Sequence, residues 1–187
     1  MNHSMIALVT GGNKGIGREI AAQLAGLGHT VLIGVRSIER GEEAAAELRA
    51  AGGDVTVVAL DVTDPDSASA AAETVRSRFG RLDALINNAG ISHQPGADFA
   101  GQLPRSADVD HVRYVFETNV FGVITVSSAF LPLLRRSDSP RIVNVSSSAG
   151  SLAAISDFAN TEAVRMATIA PDGPTGTFTD DQGPVAW

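Results

Sequence analysis

The chain has 187 residues, of which 44% are hydrophobic, and this length suits one domain with a full hydrophobic core. Its 21 acidic and 14 basic residues give a formal net charge of −7 without a basic stripe, which argues against a nucleic-acid partner. Cysteine is absent, which excludes disulfides, thiol catalysis and Cys-based metal sites; the four histidines also lack the spacing of metal ligands, so we expect no metal.

The first part of the chain alternates short apolar runs with amphipathic stretches. The run IALVT is continuous, as in a strand that is buried on both faces. Apolar residues then recur at helical spacing as far as Gly28, Ser37 is a good N-cap for a second helix, and Asp64 with Pro65 begins a third. These signals predict strands at 6–10, 30–35 and 55–60 and helices at 16–27, 37–50 and 64–79.

Residues 82–146 continue this alternation of strands and helices. A strand at 82–86 precedes a polar loop at 91–106, and a long helix then leads to a buried strand at 141–146. The long helix is expected to carry four apolar residues on one side: Val112, Phe116, Val123 and Phe130. No apolar run approaches the ~20 residues of a membrane span and no signal peptide precedes the first strand, so we expect a cytoplasmic protein without a membrane partner.

Strand–helix alternation of this kind predicts an α/β fold. Parallel strands joined by right-handed helical crossovers form a doubly wound sheet with helices on both faces. The sequence has no repeats, low-complexity tracts or linkers. We therefore expect one domain over 5–187 and leave the opening MNHS out of the fold.

A glycine-rich turn, TGGNKGIG (10–17), connects the first strand to the first helix. Glycines at this position let the backbone approach a pyrophosphate, and the helix N-terminus supplies N–H donors and a positive dipole. A tight turn without a ligand is the alternative interpretation. The spacing of Gly11, Gly15 and Gly17 is Gly-x-x-x-Gly-x-Gly, which differs from the common dinucleotide fingerprint Gly-x-Gly-x-x-Gly.

Five motifs in order resemble the short-chain dehydrogenase/reductase family, and VTGGNKGIG is similar to its carbonyl-reductase branch. The other four are Asp61-Val62, which follows the third strand where the family holds the adenine ring, NNAG (87–90), NVFG (119–122) and NVSSSAG (144–150). The resemblance covers nearly all of 5–150 and implies a Rossmann-fold oxidoreductase. Such an enzyme moves a hydride between a nicotinamide cofactor and a small carbonyl or alcohol substrate. The cofactor-binding residues that the resemblance implies are Gly11, Asn13, Lys14, Gly15, Ile16, Gly17, Arg36, Asp61, Val62, Asn88, Ala89 and Gly90.

The end of the second strand bears on which cofactor is used. NAD enzymes carry an acid there that accepts from the ribose 2′-OH, whereas an arginine accommodates the 2′-phosphate of NADP. Val35 stands at the family's acid position and Arg36 follows it. A guanidinium can hold a phosphate bidentately, so the resemblance predicts NADP(H). A solvated charge at the end of a strand is the alternative reading of Arg36.

The resemblance also implies catalytic roles. It assigns to Ser147 a hydrogen bond to the substrate carbonyl and to Asn119 a water that relays protons. The alternatives are that Ser147 ends a strand and that Asn119 makes a structural bond. The family's Tyr donates a proton to the carbonyl oxygen, and its Lys lowers the pKa of that Tyr.

This sequence departs from the family after Ser147. The Tyr would fall at Ala159 or Asn160, yet the chain's single Tyr is Tyr114 and its only Lys is Lys14. Residues 161–187 resemble the family's C-terminal end, with a last helix, a GPTG turn and a final strand near TFT. We therefore expect a junction at 158–161, where the whole protein contains a segment on the order of fifty to sixty residues, with the Tyr and Lys, that the 187-residue sequence does not show. The alternative is a catalytically inactive dinucleotide-binding protein. Both the enzyme and the inactive protein could be homo-oligomers.

Overall fold

Five parallel strands form the central sheet of the computed structural model, which describes residues 4–95, 108–147, 179–180 and 183–184. Its strands are β1 (Ile6–Thr10), β2 (Thr30–Val35), β3 (Asp54–Ala59), β4 (Ala84–Asn87) and β5 (Arg141–Asn144). They lie in the order β3-β2-β1-β4-β5. In this register Ala7 of β1 lies opposite Val31 of β2 on one side and Ala84 of β4 on the other.

Helices cover both faces of the sheet, and this confirms the predicted doubly wound α/β fold. They are α1 (Gly15–Gly26), α2 (Ile38–Ala50), α3 (Pro65–Phe79), α4 (Val109–Phe116) and α5 (Gly122–Leu134). The predicted caps are also present, because the Ser37 side chain accepts from the Arg40 N–H and the Asp64 side chain accepts from the Asp66 N–H.

The core has two layers because successive residues of a strand point to opposite faces of the sheet. Ala7 and Val9 pack with α1 and α2 on one face, and Leu8 packs with α3 and α5 on the other. Phe130 of α5 is fully buried in the second layer. This packing holds the carboxyl ends of the strands in fixed relative positions.

Asp83 connects several elements at the amino end of the sheet. Its carboxylate accepts from the Ile6 N–H at 2.8 Å, from the Ser137 hydroxyl at 2.6 Å and from Nε of Arg81 at 2.9 Å. Burial acts to raise the pKa of this carboxyl, but the bonds from Ser137, Ile6 and Arg81 outweigh it and leave the pKa below its ordinary value. Asp83 therefore stabilises the sheet at the end opposite the strands' carboxyl edge.

A π-helical turn at Glu117–Phe121 interrupts the long helix between α4 and α5. A π turn contains more residues than an α turn, so side chains before and after it no longer share the face that α-helical spacing predicts. Of the four residues expected on one side, only Phe130 is buried, whereas Val112 and Phe116 are 43% and 49% exposed. The predicted apolar side of this helix was wrong for that reason.

Val109–Leu134 is also long and apolar enough to cross a membrane, by length and composition alone. The sequence prediction that nothing in the chain reaches this length is therefore corrected. One such helix is weak evidence for a membrane span, because the core helix of a soluble protein passes the same test. Here Val126, Phe130 and Leu133 of the helix pack in the core against the sheet.

The strand predicted at 141–146 differs from the structure, whereas a two-residue strand is present near TFT as predicted. β5 ends at Asn144, and Ile142 within it is 45% exposed instead of buried. In the described residues near the C-terminus, β6 (Thr179–Asp180) pairs with β7 (Gly183–Pro184) in an antiparallel hairpin that is separate from the main sheet. The predicted last helix, GPTG turn and junction at 158–161 lie outside the described residues.

Candidate functional site

The candidate site lies at the carboxyl edge of the sheet, where β1 lies between β2 and β4. The chain leaves β1 toward α1 on one face, and the connections after β3 and β4 lead to helices on the other. A crevice forms at such a switch point because neighbouring connections diverge, and open α/β sheets bind ligands there.

The turn between β1 and α1 needs glycine at two positions because of its backbone conformation. Gly11 and Gly15 have φ angles of +67° and +54°, which side-chain-bearing residues rarely adopt. Gly12 is needed for space, since an added Cβ would lie 2.7 Å from Cγ2 of Ile33. At Gly15 an added Cβ would meet nothing within 4 Å, so the turn is open in front of the helix.

The start of α1 differs from the starts of α2, α3 and α4. Within the described part of the chain, no side chain caps α1 at Lys14 and no acidic residue lies in its first turn. The other three helices each have a capping side chain and an acid in the first turn, namely Ser37 with Glu39, Asp64 with Asp66, and Asp108 with Asp110. The positive end of α1 is thus free of the groups that usually neutralise it, which suits an anion.

Hydrogen bonds of Thr10 connect the glycine turn to the NNAG segment after β4. Its hydroxyl accepts from the N–H groups of Asn88 at 3.0 Å and Ala89 at 2.9 Å, and the Asn88 side-chain amide donates to the Thr10 carbonyl at 2.8 Å. Sequence reasoning missed Thr10, although a single polar residue at the end of an apolar strand was a usable signal. Thr10 brings two of the predicted cofactor-binding segments into direct contact.

Gly17 lets α1 approach this pair of segments. A Cβ at Gly17 would lie 2.3 Å from Nδ2 of Asn88 and 2.6 Å from the Gly11 carbonyl oxygen, which is too close for any side chain. A Cβ added at Gly11 would likewise lie 3.3 Å from Cα of Ala89, so these two segments approach closely as well. The predicted residues Gly11, Gly17, Asn88 and Ala89 therefore form one compact unit at the switch point.

Asn119 lies in the π-helical turn and binds the loop that follows NNAG. Its Oδ1 accepts from the Ile91 N–H at 2.9 Å, and its Nδ2 donates to the Ile91 carbonyl at 2.7 Å. Both ends of the amide thus make the structural bonds considered as the alternative to a water relay. Gly90 is adjacent, since an added Cβ there would be 3.4 Å from Oδ1 of Asn119.

The Asp61-Val62 turn after β3 is braced by local hydrogen bonds. Oδ1 of Asp61 accepts from the Thr63 N–H at 3.0 Å and from its hydroxyl at 2.8 Å, and the Asp61 N–H donates to Oγ of Ser67 at 2.9 Å. Val62 packs against α5 at Gly122. This arrangement holds the turn firmly at the carboxyl edge, beside the helix that carries Asn119.

The predicted charged residues lie at the surface of the same edge. Arg36 follows the last residue of β2 and is exposed, as is Lys14 at the start of α1. Asn13 is half-buried, and Ile16 is 43% exposed. In the described ranges no group of three His, Asp or Glu side chains is arranged to hold a metal ion.

Ser147 follows β5 by three residues and is exposed. Beneath it, Nδ2 of Asn87 donates to Oδ1 of Asn144 at 2.9 Å and to Oγ of Ser127 at 3.1 Å, which ties β4, β5 and α5 together. Because the strand order is β2-β1-β4-β5, Arg36 and Ser147 follow strands three spacings apart, or roughly 14 Å. The positions where the family's Tyr would fall are outside the described residues.

A family model described as short chain dehydrogenase matches residues 5–161 of the chain. Salutaridine reductase from Papaver bracteatum is 40% identical over 176 residues, covering 81% of this chain and 57% of that protein. The chain spans about half the length of the curated relatives it matches.

Two solved structures are similar to the chain and contain different nicotinamide cofactors. The Pseudomonas aeruginosa RhlG/NADP active-site complex has a TM-score of 0.70 at 33% identity and covers 87% of this chain and 61% of that one. A short-chain dehydrogenase/reductase from Burkholderia phymatum in complex with NAD has a TM-score of 0.68 at 29% identity, covering 79% of this chain and 50% of that one.

Proposed function

The chain belongs to the short-chain dehydrogenase family, and from this premise we propose that it is an NADPH-dependent oxidoreductase acting on a small carbonyl or alcohol substrate. When bound, the cofactor supplies the hydride. The proposal treats residues 5–187 as one nucleotide-binding domain in the cytoplasm, where NADPH is available.

One observation carries the proposal: the uncapped N-terminus of α1 behind a glycine turn that is fastened to NNAG. A pyrophosphate needs several N–H donors, a positive dipole and close backbone approach. The open space at Gly15 and the free first turn of α1 fit these needs. Gly11, Asn13, Lys14, Gly15, Ile16 and Gly17 are the residues proposed to hold the pyrophosphate and adjacent groups.

The choice of NADPH over NADH depends on Arg36. This side chain is exposed immediately after β2, on the strand next to β1, so it can reach a phosphate on the adenosine ribose. A carboxylate at Val35 would repel that phosphate, whereas the valine does not. Solved relatives carry NADP in one case and NAD in another, so the preference of this chain rests on its own residues.

At the other end of the site, we assign Ser147 a hydrogen bond that holds the substrate carbonyl. Asn119 fixes the helix beside NNAG through Ile91, and its relay of protons through water remains a proposal. The chain offers Lys14 and Tyr114 as its only Lys and Tyr, and neither follows Ser147. The proton donor is therefore assigned to the segment that the sequence predicts to be missing at 158–161, close to where the family match ends.

The test measures cofactor binding and turnover separately. Titration calorimetry gives the Kd for NADPH and NADH, and absorbance at 340 nm follows NADPH oxidation with a panel of aldehydes and ketones. Arg36→Ala is expected to weaken NADPH binding at least tenfold with little change for NADH. Arg76→Ala removes the same charge from the end of α3, at the amino edge of the sheet, and should change neither.

The second candidate function is dinucleotide binding without catalysis, and the absence of a Tyr-x-x-x-Lys pair from the sequence favours it. It predicts tight NADPH binding with no turnover on any carbonyl. A protein that binds neither nucleotide would contradict both candidates.

The outer face of the long helix supports a homo-oligomer. Val112 and Phe116 before the π-helical turn, Val120 within it and Ile124 after it are exposed apolar side chains. We propose that a second copy covers these side chains with its own helix running antiparallel. Asp108 and Asp110 at the helix start would then lie beside Arg135 and Arg136 at the end of the other copy.

Analytical ultracentrifugation tests this pairing. Ile124→Asp is expected to give monomers, and Ala46→Asp, which adds the same charge to the exposed surface of α2 on the other face of the sheet, should leave the oligomer intact. A wild-type monomer, or wild-type protein that pellets with lipid vesicles, would contradict the proposal.

A further inference from the structure

Gly122 is a glycine whose backbone does not require one. It is buried at the start of α5, and its φ and ψ of −59° and −41° are ordinary helical values. Glycine is the residue that a helix interior tolerates least after proline, because it loses the most backbone freedom. The reason for glycine at this position must therefore lie in packing.

The turn after β3 lies directly on Gly122. A Cβ added there would be 3.0 Å from Cγ2 of Val62, 3.2 Å from the Val62 carbonyl oxygen and 3.2 Å from the Glu117 carbonyl oxygen. Two of these three neighbours are backbone atoms, which cannot rotate away. Gly26 of α1, in contrast, has nothing within 4 Å of an added Cβ.

Hydrogen bonds hold the turn that contacts Gly122 rigid, so a displacement of Val62 would move the whole turn. The Leu60 N–H bonds to the Val35 carbonyl, and the Asp64 N–H bonds to the Asp61 carbonyl. Asp61 is fixed in addition by Thr63 and Ser67. A displacement of a few tenths of an ångström at Val62 is thereby passed to Asp61.

We propose that Gly122 is a positioning residue that sets the Asp61-Val62 turn and, through it, the adenine end of the bound cofactor. This inference rests on the proposed function. It gives the glycine of NVFG a role separate from that of Asn119. Asn119 joins the helix to the loop after β4, and Gly122 joins the same helix to the turn after β3.

The experiment compares Gly122→Ala with Gly26→Ala, using 2′,5′-ADP as a probe for the adenine half of the site and circular dichroism for the melting temperature. Gly122→Ala is expected to weaken 2′,5′-ADP binding about three- to tenfold, since small misplacements in a binding site have large effects. Gly26→Ala should bind as the wild type does. Binding of inorganic pyrophosphate, which probes the glycine turn before α1 and not the turn after β3, should stay within about twofold of the wild type in Gly122→Ala.

The possible outcomes distinguish a failure of the proposed function from a failure of the role proposed for Gly122. If the wild-type protein does not bind 2′,5′-ADP, the proposed function is wrong and this inference falls with it. If the wild type binds and Gly122→Ala binds equally well, only the inference is overturned. A Gly122→Ala protein that does not fold, or one that loses 2′,5′-ADP and pyrophosphate binding alike, would place the glycine in the core rather than at the adenine turn and would also overturn it.

Discussion

Replacing Thr10 with valine removes the hydroxyl that joins β1 to the NNAG segment while keeping the shape of the side chain. Thr10 is buried, so water cannot take the place of the lost oxygen. The Ala89 N–H loses its acceptor, and the Asn88 N–H loses the stronger of two, keeping the Ile86 carbonyl at 3.1 Å. The third bond, from the hydroxyl to the Ile86 carbonyl, is 3.4 Å long and adds little.

The size of the effect follows from the two strong bonds. Each is worth about 1 kcal/mol net, so Thr10→Val should lower the free energy of unfolding by about 2 kcal/mol. For a chain of this size that corresponds to a fall of roughly 4–8 °C in melting temperature. Because the two segments also form the cofactor crevice, NADPH binding should weaken by about tenfold as well.

Urea denaturation and NADPH titration check these values, with Thr10→Ser as the matched control. Serine keeps the oxygen and loses the methyl group, so it should be destabilised by about 1 kcal/mol and bind NADPH normally. If Thr10→Val proved as stable as the wild type, or if serine and valine weakened binding equally, the hydroxyl would not be what connects the two segments.

Two further substitutions test the hydrogen bonds and the core packing that support the sheet beneath the site. Asp83→Asn should lower the free energy of unfolding at pH 7 by about 2 kcal/mol, because a charged acceptor for Ile6, Ser137 and Arg81 is lost. The pKa of Asp83 is lower in the folded state than in the unfolded state, so its stabilisation is present above the unfolded value of about 4 and is lost as the pH falls through the folded value. Urea curves from pH 7 to pH 3 should therefore converge for the two proteins, and parallel curves would argue against this role. Phe130→Ala should destabilise by about 3–5 kcal/mol because the ring is fully buried, while Phe121→Ala, on an exposed ring of the same helix, should change stability by less than about 1 kcal/mol; equal losses would place the core elsewhere.

The parts of the fold that depend on local pattern could be predicted from the sequence. β1 and β2 have the predicted bounds, and the caps at Ser37 and Asp64 form as expected, since these signals act within a few residues. The π-helical turn could not be predicted in the same way. Asn119 within it and Gly122 directly after it contact loops that are distant in sequence, and no local pattern indicates such contacts; the apolar side of the long helix was therefore assigned wrongly.

The candidate site, like the fold, could be predicted from the sequence only in part. The glycine turn and NNAG are recognisable because residue type and order carry the signal, yet their connection through Thr10 spans nearly eighty residues and appears only in three dimensions. The sequence left open whether Asn119 holds a water or makes a structural bond, and the structure shows its bonds to the Ile91 backbone while the water relay stays a proposal. Residue identity and order predicted which segments meet at the carboxyl edge of the sheet, but not which atoms join them.

The bare start of α1 has a consequence for how the protein behaves without its ligand. A helix with no cap at its first turn frays there, so the amide protons of Ile16 and Gly17 should exchange with solvent faster than those at the start of α2. Under the proposed function, the pyrophosphate of the cofactor accepts hydrogen bonds from these N–H groups, and its binding would slow their exchange. Sulfate or phosphate in a buffer would do the same in part, so melting temperatures measured in such buffers would overstate the stability of the ligand-free protein.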